Sequence, residues 1–514
     1  MSYILSGERS IQLGDIRERA ARAASGFHDL GIAAGDRIAL YLRNDPAMIE
    51  ASIAAGLIGA YPTPVNWHYV PAEVDYLLTN SGARALIVHA DLLAGVKAIL
   101  PAALPVLVIP TPPEIVAAFG IADARAQVPD GFPEWDDWLA QFPAYAGPPV
   151  AAPGTIIYTS GTTGKPKGVL RQVPSTAQKK LAADALLNAY HFSPFADDPS
   201  RIVAMVTSPM YHTAPNFYGL LAIQFGANLV LQPRFDAEGL LALVARHKVT
   251  HLIMVPIMFH RLLALPEEVK RKYDLSSLRQ VFHGAAPCPR ATKEAMIAWW
   301  GPIFDECYGS TEVSLVTFCN SNEWLAHPGT VGRTTPDAEI RILDAAGNAL
   351  PPGEIGEIVA RNSSLAEFTY HGDDAKRAAA DRDGFVALGD VGYFDADGYL
   401  YLCDRVQDLI ISGGANIYPL EIESQLHEMP GVRDCAVLGV PDAEYGEAVL
   451  AIVERQPGVA IDAVDIRAFL RGRVAPYKIP RRIEFRSNLP REDSGKIFKR
   501  KLRDEFWAGA GRKI

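Results

Sequence analysis

Short, unbroken apolar runs constrain this chain most: RIALYL from Arg37, ARALIVH from Ala83, LPVLVI from Leu104, RIVAMV from Arg201, NLVLQP from Asn228 and HLIMVP from His251. A strand with solvent on one face alternates apolar and polar residues, whereas a strand covered on both faces reads as one apolar run. Separated by stretches long enough for helices, these runs predict an α/β architecture of layered, mostly parallel sheets with helices between them. Ligand sites in such sheets lie beyond the carboxyl ends of the strands.

A chain of 514 residues exceeds the roughly 250 to 300 residues at which one hydrophobic core stops growing, so a second domain is expected. The texture changes from about Ser364, where DGFVALGDVGYFDADGYLYLCDRVQD is dense in Gly, Asp and Tyr and reads as tight hairpins in an antiparallel region. Beyond Arg405 come a helix pattern at LEIESQLHE, strand patterns at CAVLGV and AVLAIVE, a helix at VDIRAFLRGRV and a strand at RRIEF. The expected division is a large N-terminal domain, 1–404, and a small, mobile α+β domain, 405–514.

Net charge of −10 argues against a general nucleic-acid binder, which needs a basic footprint. The five cysteines, Cys288, Cys307, Cys319, Cys403 and Cys435, form no C-x-x-C pair, so neither a zinc site nor a disulfide framework is signalled and buried thiols in a reducing cytosol are expected. The N-terminus lacks the apolar core of a secretory signal, and the apolar stretch from Ala47 is interrupted by Glu50, which suits a buried helix better than a membrane span. The stretch from Lys496 holds seven Lys or Arg against two acids, read first as a solvated helix face.

The segment YTSGTTGKPKG, 158–168, follows an apolar strand pattern and offers hydroxyls, glycines and lysines with no acidic side chain, a composition suited to an anion. It is not the G-x-x-x-x-G-K-[ST] phosphate loop, because Pro166 follows Lys165 and Thr159 stands where the first Gly would be. Thr159, Ser160, Thr162 and Thr163, the backbone at Gly161, Gly164 and Gly168, and Lys165 or Lys167 could surround a β- or γ-phosphate; a plain surface turn is the alternative.

This loop resembles the signature of the adenylate-forming superfamily, which includes acyl-CoA synthetases, adenylation domains of peptide synthetases and luciferases. Further stretches agree in order and spacing over nearly the whole chain: PMYHTAPNF, HGAAPCP, YGSTEV, ALGDVGYFDADGYLYLCDR, ISGGANIYPLEIE and PREDSGKIFKRKL. The resemblance implies ATP, Mg2+ and coenzyme A as cofactor and cosubstrates. It assigns Mg2+ to Glu312, with Thr163 as a second oxygen contact, and the α-phosphate to Thr311. Adenine falls to Gly284, Ala285 and Ala286 with Tyr308 and Gly309, ribose to Asp390, and the ribose and phosphate region to Arg405. Close packing after a strand would equally explain the small residues of HGAAP.

Lys496 matches the lysine that neutralises the attacking carboxylate and the α-phosphate during adenylation, a task suited to a compact point charge. Gly413, Gly414 and Asn416 match the loop that replaces Lys496 at the active site after the small domain turns. Gln407 stands where relatives carry a charged hinge residue, so a charge-based account of the turning is not expected here. His212 resembles the histidine at the mouth of the acyl pocket; no second ligand at helical spacing makes it a metal site.

MYHTAPNFYG offers no carboxylate to pair with an α-ammonium, which opposes an amino-acid substrate, since a buried unpaired charge costs several kcal/mol. By family position, Asn216, Phe217, Met258, Gly284, Ala285, Gly309, Val313, Leu315 and Val316 line the acyl pocket; they suit an uncharged hydrophobic acid. A medium- or long-chain fatty acid is the first expectation, an aromatic acid of benzoate or hydroxycinnamate type the second, and loading of a carrier protein the third. The expected reaction is a CoA ligation through acyl-AMP, in a cytoplasmic enzyme acting on small molecules, with a homodimer allowed.

Overall fold

A computed structural model describes residues 2–148, 150–151, 154–159, 166–405, 408–413, 415–442, 444–491 and 497–508. All six apolar runs form strands with parallel neighbours. Arg37–Tyr41, Tyr61–Pro64, Ala83–His89 and Val106–Ile109 make a four-stranded parallel sheet. Val203–Val206, Asn228–Leu231 and His251–Met254 belong to a nine-stranded sheet, whose parallel body also takes in Tyr3–Ser6, Gln280–His283 and Phe304–Ser310. Antiparallel strands close its two ends, Arg9–Gln12 on one side and Ser314–Cys319 with Arg333–Thr334 on the other.

One core joins the two sheets. Ile38, Leu40, Ala85 and Ile87 of the smaller share it with Ala204, Val206, Leu229 and Leu231 of the larger, across the helices Leu13–Asp29, Pro46–Leu57 and Thr213–Phe225. Pro46–Leu57 is the apolar stretch that sequence assigned to a buried helix. Pro46 opens it with a preset φ, and Asp45 caps it by accepting a hydrogen bond from the Ala47 N–H. Its residues from Pro46 to Ser52 are all buried, and Ala47, Met48, Ile49 and Ala51 share one core with both sheets and with the helix Leu13–Asp29.

One expectation fails in an instructive way. The strand leading into the 160–165 loop, Ile157–Thr159, has no place in a parallel sheet: it pairs antiparallel with Lys167–Arg171, which pairs with Phe368–Tyr370. The strands on either side of residues 160–165 therefore form an antiparallel ladder and are no part of a parallel layer. Three apolar residues, IIY, look alike in either setting; the turn-forming glycines that follow them favour the hairpin.

From Ala338 to Arg405 the chain is antiparallel, with Ala338–Leu343, Gly356–Asn362, Phe385–Phe394 and Leu400–Arg405 in one sheet, as the Gly- and Asp-rich texture predicts. After Ile410 a separate core forms around Ile417, Ile422, Val437, Val449 and Ile466. It lies beneath a sheet of Ala415–Ile417, Ile410–Ser412, Gly446–Arg455, Val432–Asp442 and Arg482–Phe485, with helices Pro419–His427 and Ala463–Leu470. The basic helix Lys499–Trp507 is only half the solvated face expected: Arg500 and Lys501 are exposed, but Lys499 meets Glu423 at 2.8 Å and Arg503 meets Asp408 at 2.5 Å.

Candidate active site

The hairpin that carries the anion loop brings its two ends together, with Thr159 opposite Lys167 in the ladder. Ser160, Gly161, Thr162, Thr163, Gly164 and Lys165 lie outside the described residues. Gly168 has no room for a side chain, since a Cβ there would stand 2.9 Å from the Tyr158 ring. Lys167 lies over the Tyr370 ring at 4.9 Å, and burial together with neighbouring Lys376 pushes its ammonium down to about 8. A lysine so placed is still predominantly cationic at pH 7 and only partly hydrated, which favours a strong response to a phosphate.

Tyr370 also donates its hydroxyl to Glu312 Oε1 at 2.9 Å. Glu312 sits in the turn between Phe304–Ser310 and Ser314–Cys319, a turn whose shape is set by close contact. A Cβ on Gly309 would stand 1.8 Å from the Ser314 carbonyl oxygen, and Ser314 itself takes a positive φ of 57°. The Glu312 N–H donates to Ser310 Oγ at 3.2 Å, and Thr311 Oγ1 lies 2.7 Å from Thr213 Oγ1, at the start of the helix Thr213–Phe225. Arg171 holds the turn from below, donating to the carbonyl oxygens of Thr311 at 2.8 Å and Glu312 at 2.6 Å, and also to Ala366 O at 3.1 Å.

Beside this turn Tyr308 donates to Asp390 Oδ2 at 2.7 Å, and Arg405 Nε stands 3.4 Å from Asp390 Oδ1. Burial, with the Asp390 carboxylate as second cause, raises the Tyr308 phenol well above its ordinary range, so it stays a donor. Gly284 follows the strand Gln280–His283, and a Cβ there would meet the Cys307 carbonyl oxygen at 2.7 Å and Sγ at 2.8 Å. Close packing is thus reason enough for that glycine. Ala285 adopts φ 67°, an uncommon conformation for a residue with a side chain, and Ala286 continues the same bend. Beneath lies a buried ion pair, Lys293 Nζ to Glu306 Oε2 at 2.6 Å.

The residues expected around the acyl group divide by burial. Asn216 is fully buried and satisfied, donating to Met210 O at 2.9 Å and accepting from Thr155 Oγ1 at 3.3 Å. Met258 packs in a second core, its sulfur 3.3 Å from Thr207 Oγ1; Val313 and Val316 are buried with Tyr308. Leu315 is half-buried and Phe217 is exposed at 37%. His212 precedes the helix Thr213–Phe225 with its ring against Tyr211, centroids 4.4 Å apart.

Gly413 has φ 57° and donates its N–H to Tyr445 O at 2.8 Å, and Asn416 is an exposed residue of the strand Ala415–Ile417. Gly414, Gln407 and Lys496 lie outside the described residues. Three contributors escaped the sequence reading: Arg171, Tyr370 and Thr213. Arg171 left a faint trace, a charged residue closing the apolar strand pattern GVLR directly after the loop; Thr213 stands within PMYHTAPNF with no role read for it, and Tyr370 left no trace.

Lys167 on one hairpin, a carboxylate turn clamped to that hairpin and a Tyr–Asp–Arg trio beside the turn are thus gathered on one α/β scaffold. The AMP-binding enzyme model matches residues 2–369, and the AMP-binding enzyme C-terminal domain model matches 421–496. A feruloyl-CoA synthase from Amycolatopsis sp is 33% identical over 505 residues, covering 97% of this chain and 95% of that protein. The fatty acid–[acyl-carrier-protein] ligase ScoC of Streptomyces coeruleorubidus is 31% identical, covering 99% of this chain and 94% of the relative. The ATP-bound structure of MatB from Rhodopseudomonas palustris superposes with a TM-score of 0.82 at 29% identity, covering 99% of this chain and 97% of that one.

The chain belongs to the AMP-binding enzyme family, within the adenylate-forming superfamily. It is an ATP-dependent ligase of the acyl-CoA synthetase type. Among the described residues no helix is long and apolar enough to cross a membrane.

Proposed function

We propose that this enzyme activates an uncharged aromatic carboxylic acid of hydroxycinnamate or benzoate type as its acyl-AMP and transfers the acyl group to coenzyme A. The observation that carries the adenylation chemistry is the clamped turn: Thr311 and Glu312 are held against the strand that leaves the anion loop, by Arg171 through the backbone and by Tyr370 through the carboxylate. Two anions, a carboxylate and a triphosphate, must be aligned against their mutual repulsion, and rigid placement of charge is the main catalytic lever for that.

Glu312, with hydroxyl oxygens from Thr311 and Thr163, offers hard oxygen donors of the kind Mg2+ takes. When bound, Mg2+ supplies charge neutralisation at the phosphate oxygens. Lys167 and Lys165 add positive charge beside the phosphates, and Thr311 orients the α-phosphate. Asp390 accepts from the ribose hydroxyls, its geometry preset by Tyr308 and Arg405. Gly284, Ala285, Ala286 and Gly309 form the floor and wall against adenine. Lys496 neutralises the carboxylate and α-phosphate in the first step. The small domain, beginning at Arg405 and turning about Gln407, then brings Gly413, Gly414 and Asn416 to the path of the CoA thiol, with His212 at the mouth of the acyl pocket.

The choice of acid rests on the relatives. Asn216, Met258, Val313 and Val316 are each at most 3% exposed and are already filled around by neighbours. The aromatic reading is supported by the relative named a feruloyl-CoA synthase, 33% identical over 97% of this chain. A fatty acid is the second reading, supported by the relative named as a long-chain-fatty-acid–CoA ligase in Bacillus subtilis, 30% identical over 97% of this chain.

The test is to incubate the protein with ATP, Mg2+ and CoA across ferulate, benzoate, octanoate and palmitate, and to read acyl-AMP and acyl-CoA by mass spectrometry. Thioester from the aromatic acids in preference is expected; preference for octanoate or palmitate would replace the aromatic reading with the fatty one. Adenylate that never becomes thioester would withdraw CoA as acceptor. Lys496→Ala is expected to lower acyl-AMP formation by about 10² to 10³ while conversion of synthetic acyl-AMP and CoA to thioester holds within a few-fold. Equal loss in both would remove Lys496 from its assigned step.

A further inference from the structure

We propose that Arg171 is a positioning residue for adenylation, locking the Thr311–Glu312 turn in register with the strand Lys167–Arg171 so that Lys167, Thr311 and Glu312 are presented as one unit. The inference rests on the role given to Glu312 above and extends it to a residue that touches neither ATP nor the acid.

The geometry is specific. Lys167–Arg171 is the strand by which the chain leaves the loop, so Arg171 is tied to the loop by one short rigid element. Its guanidinium donates to two successive carbonyl oxygens, Thr311 O and Glu312 O, and to Ala366 O, at the start of the segment that leads into the strand Phe368–Tyr370. That strand carries Tyr370, whose hydroxyl holds the Glu312 carboxylate. Two strands and one turn are thereby closed into a ring of contacts: Lys167–Arg171, the Arg171 guanidinium, the turn, Glu312, Tyr370 and back to the first strand through the ladder Phe368↔Arg171 and Tyr370↔Val169. A guanidinium presents several donors in a fixed planar fork, and an ammonium cannot satisfy the same carbonyls in the same directions. Hydrogen bonds from a charged donor are also stronger than those between neutral groups. The Phe368 ring, 5.5 Å from the guanidinium carbon, covers one side of it and limits water's access.

A residue that merely stabilised the fold would affect every ligand equally; a residue that sets the turn against the loop affects only what spans both. Mg2+-ATP spans both, and AMP, lacking the β- and γ-phosphates, does not. The experiment compares wild type, Arg171→Lys and Arg171→Met by calorimetric titration with Mg2+-ATP and with AMP, alongside pyrophosphate exchange and the thioester half-reaction from synthetic acyl-AMP. Melting temperature without ligand monitors folding. For Arg171→Met the expectation is Mg2+-ATP affinity down by about 10-fold and exchange down by about 10²-fold, consistent with loss of two charge-assisted hydrogen bonds. AMP affinity and thioester formation should hold within about 3-fold. Arg171→Lys should recover only part of the exchange rate. If Arg171→Met does not fold, the comparison is read from Arg171→Lys alone, with the same ligand selectivity required. Equal weakening of Mg2+-ATP and AMP, or an unchanged exchange rate, would overturn the positioning role. Failure of the wild-type protein itself to catalyse exchange would instead overturn the adenylation reading on which the role rests.

Discussion

Several histidines are buried where they cannot easily take a proton. Burial, with His191 and Arg279 nearby as lesser causes, holds His251 down at about 3, and its Nδ1 shares a 2.8 Å hydrogen bond with Thr250 Oγ1. His283 is pushed well below its ordinary value, again by burial first and by Lys293 second. A histidine whose folded pKa lies below its unfolded value of about 6.5 binds its proton preferentially in the unfolded chain. Its contribution to stability is therefore complete above about pH 6.5 and declines as pH falls from there towards the folded value. Over the single unit from pH 6.5 to 5.5 the decline is about 1 kcal/mol for one such residue. Buried acids with raised values, among them Glu306 and Glu423, act in the opposite sense, so the net slope mixes both. The difference between wild type and His251→Gln isolates one histidine. Urea unfolding at the two pH values should show the variant losing less stability than wild type by about that amount, and parallel losses would mean that His251 is protonated in the native protein.

At the scale of elements, the turn from Ser310 to Val313 is built by its neighbours more than by its own residues. Gly309 is where two strands of one sheet come too close for a side chain, the backbone shifts register between Tyr308 and Gly309, and Ser314 accepts a positive φ to complete the bend. Gly309→Ala forces the Ser314 carbonyl away and carries Thr311 and Glu312 with it. Displacement of reacting groups by about 1 Å costs on the order of 10² in rate, and pyrophosphate exchange by Gly309→Ala should fall by that order; a rate near wild type would show that the turn relaxes at no cost.

Elements of this kind also mark how far the sequence could be read. Runs such as RIALYL and HLIMVP declare themselves, because double-sided burial leaves no polar position to confuse the period. The strand Ile157–Thr159 does not, since so short a run carries no period and its partner could not be read from composition. Glu312 and Asp390 were singled out from the resemblance, and the structure sets their carboxylates against Tyr370 and against Tyr308 and Arg405. Arg171, Tyr370 and Thr213 act by reaching across some 58 to 141 positions of chain to hold those residues, and only the folded molecule shows where such arms end.

In the whole molecule, the small C-terminal unit ties the segment bearing Lys496 to the segment bearing Gln407. The helix Lys499–Trp507 begins just after Lys496. Lys499 meets Glu423 at 2.8 Å, and although burial alone would lower its pKa, Glu423, Asp404 and Asp408 raise it well above the ordinary lysine value. Arg503 meets Asp408, the residue next to Gln407, at 2.5 Å. The charged residues on either side of position 407 are thus already engaged, Asp404 through the Leu420 N–H and Asp408 through Arg503. Lys499→Met leaves Glu423 buried without its partner, at a cost of about 3 to 5 kcal/mol. The expected outcome is a lower melting temperature and a larger loss in adenylation than in thioester formation, and equal losses would show that Lys496 is placed independently of this helix.

The first strand sets a timetable for synthesis. Tyr3–Ser6 lies in the parallel body of the large sheet beside Asn228–Leu231, so its partner is translated more than two hundred residues later. At ribosomal rates of roughly 5 to 20 residues per second, that is a delay of about 10 to 45 s. Throughout it, Ile4 and Leu5 lack that partner and have the hairpin with Arg9–Gln12, and for Ile4 the core it shares with the helix Leu13–Asp29, to shelter them. Whatever attends the nascent chain in that interval, a chaperone or the ribosome surface itself, meets this hairpin before its parallel partner does.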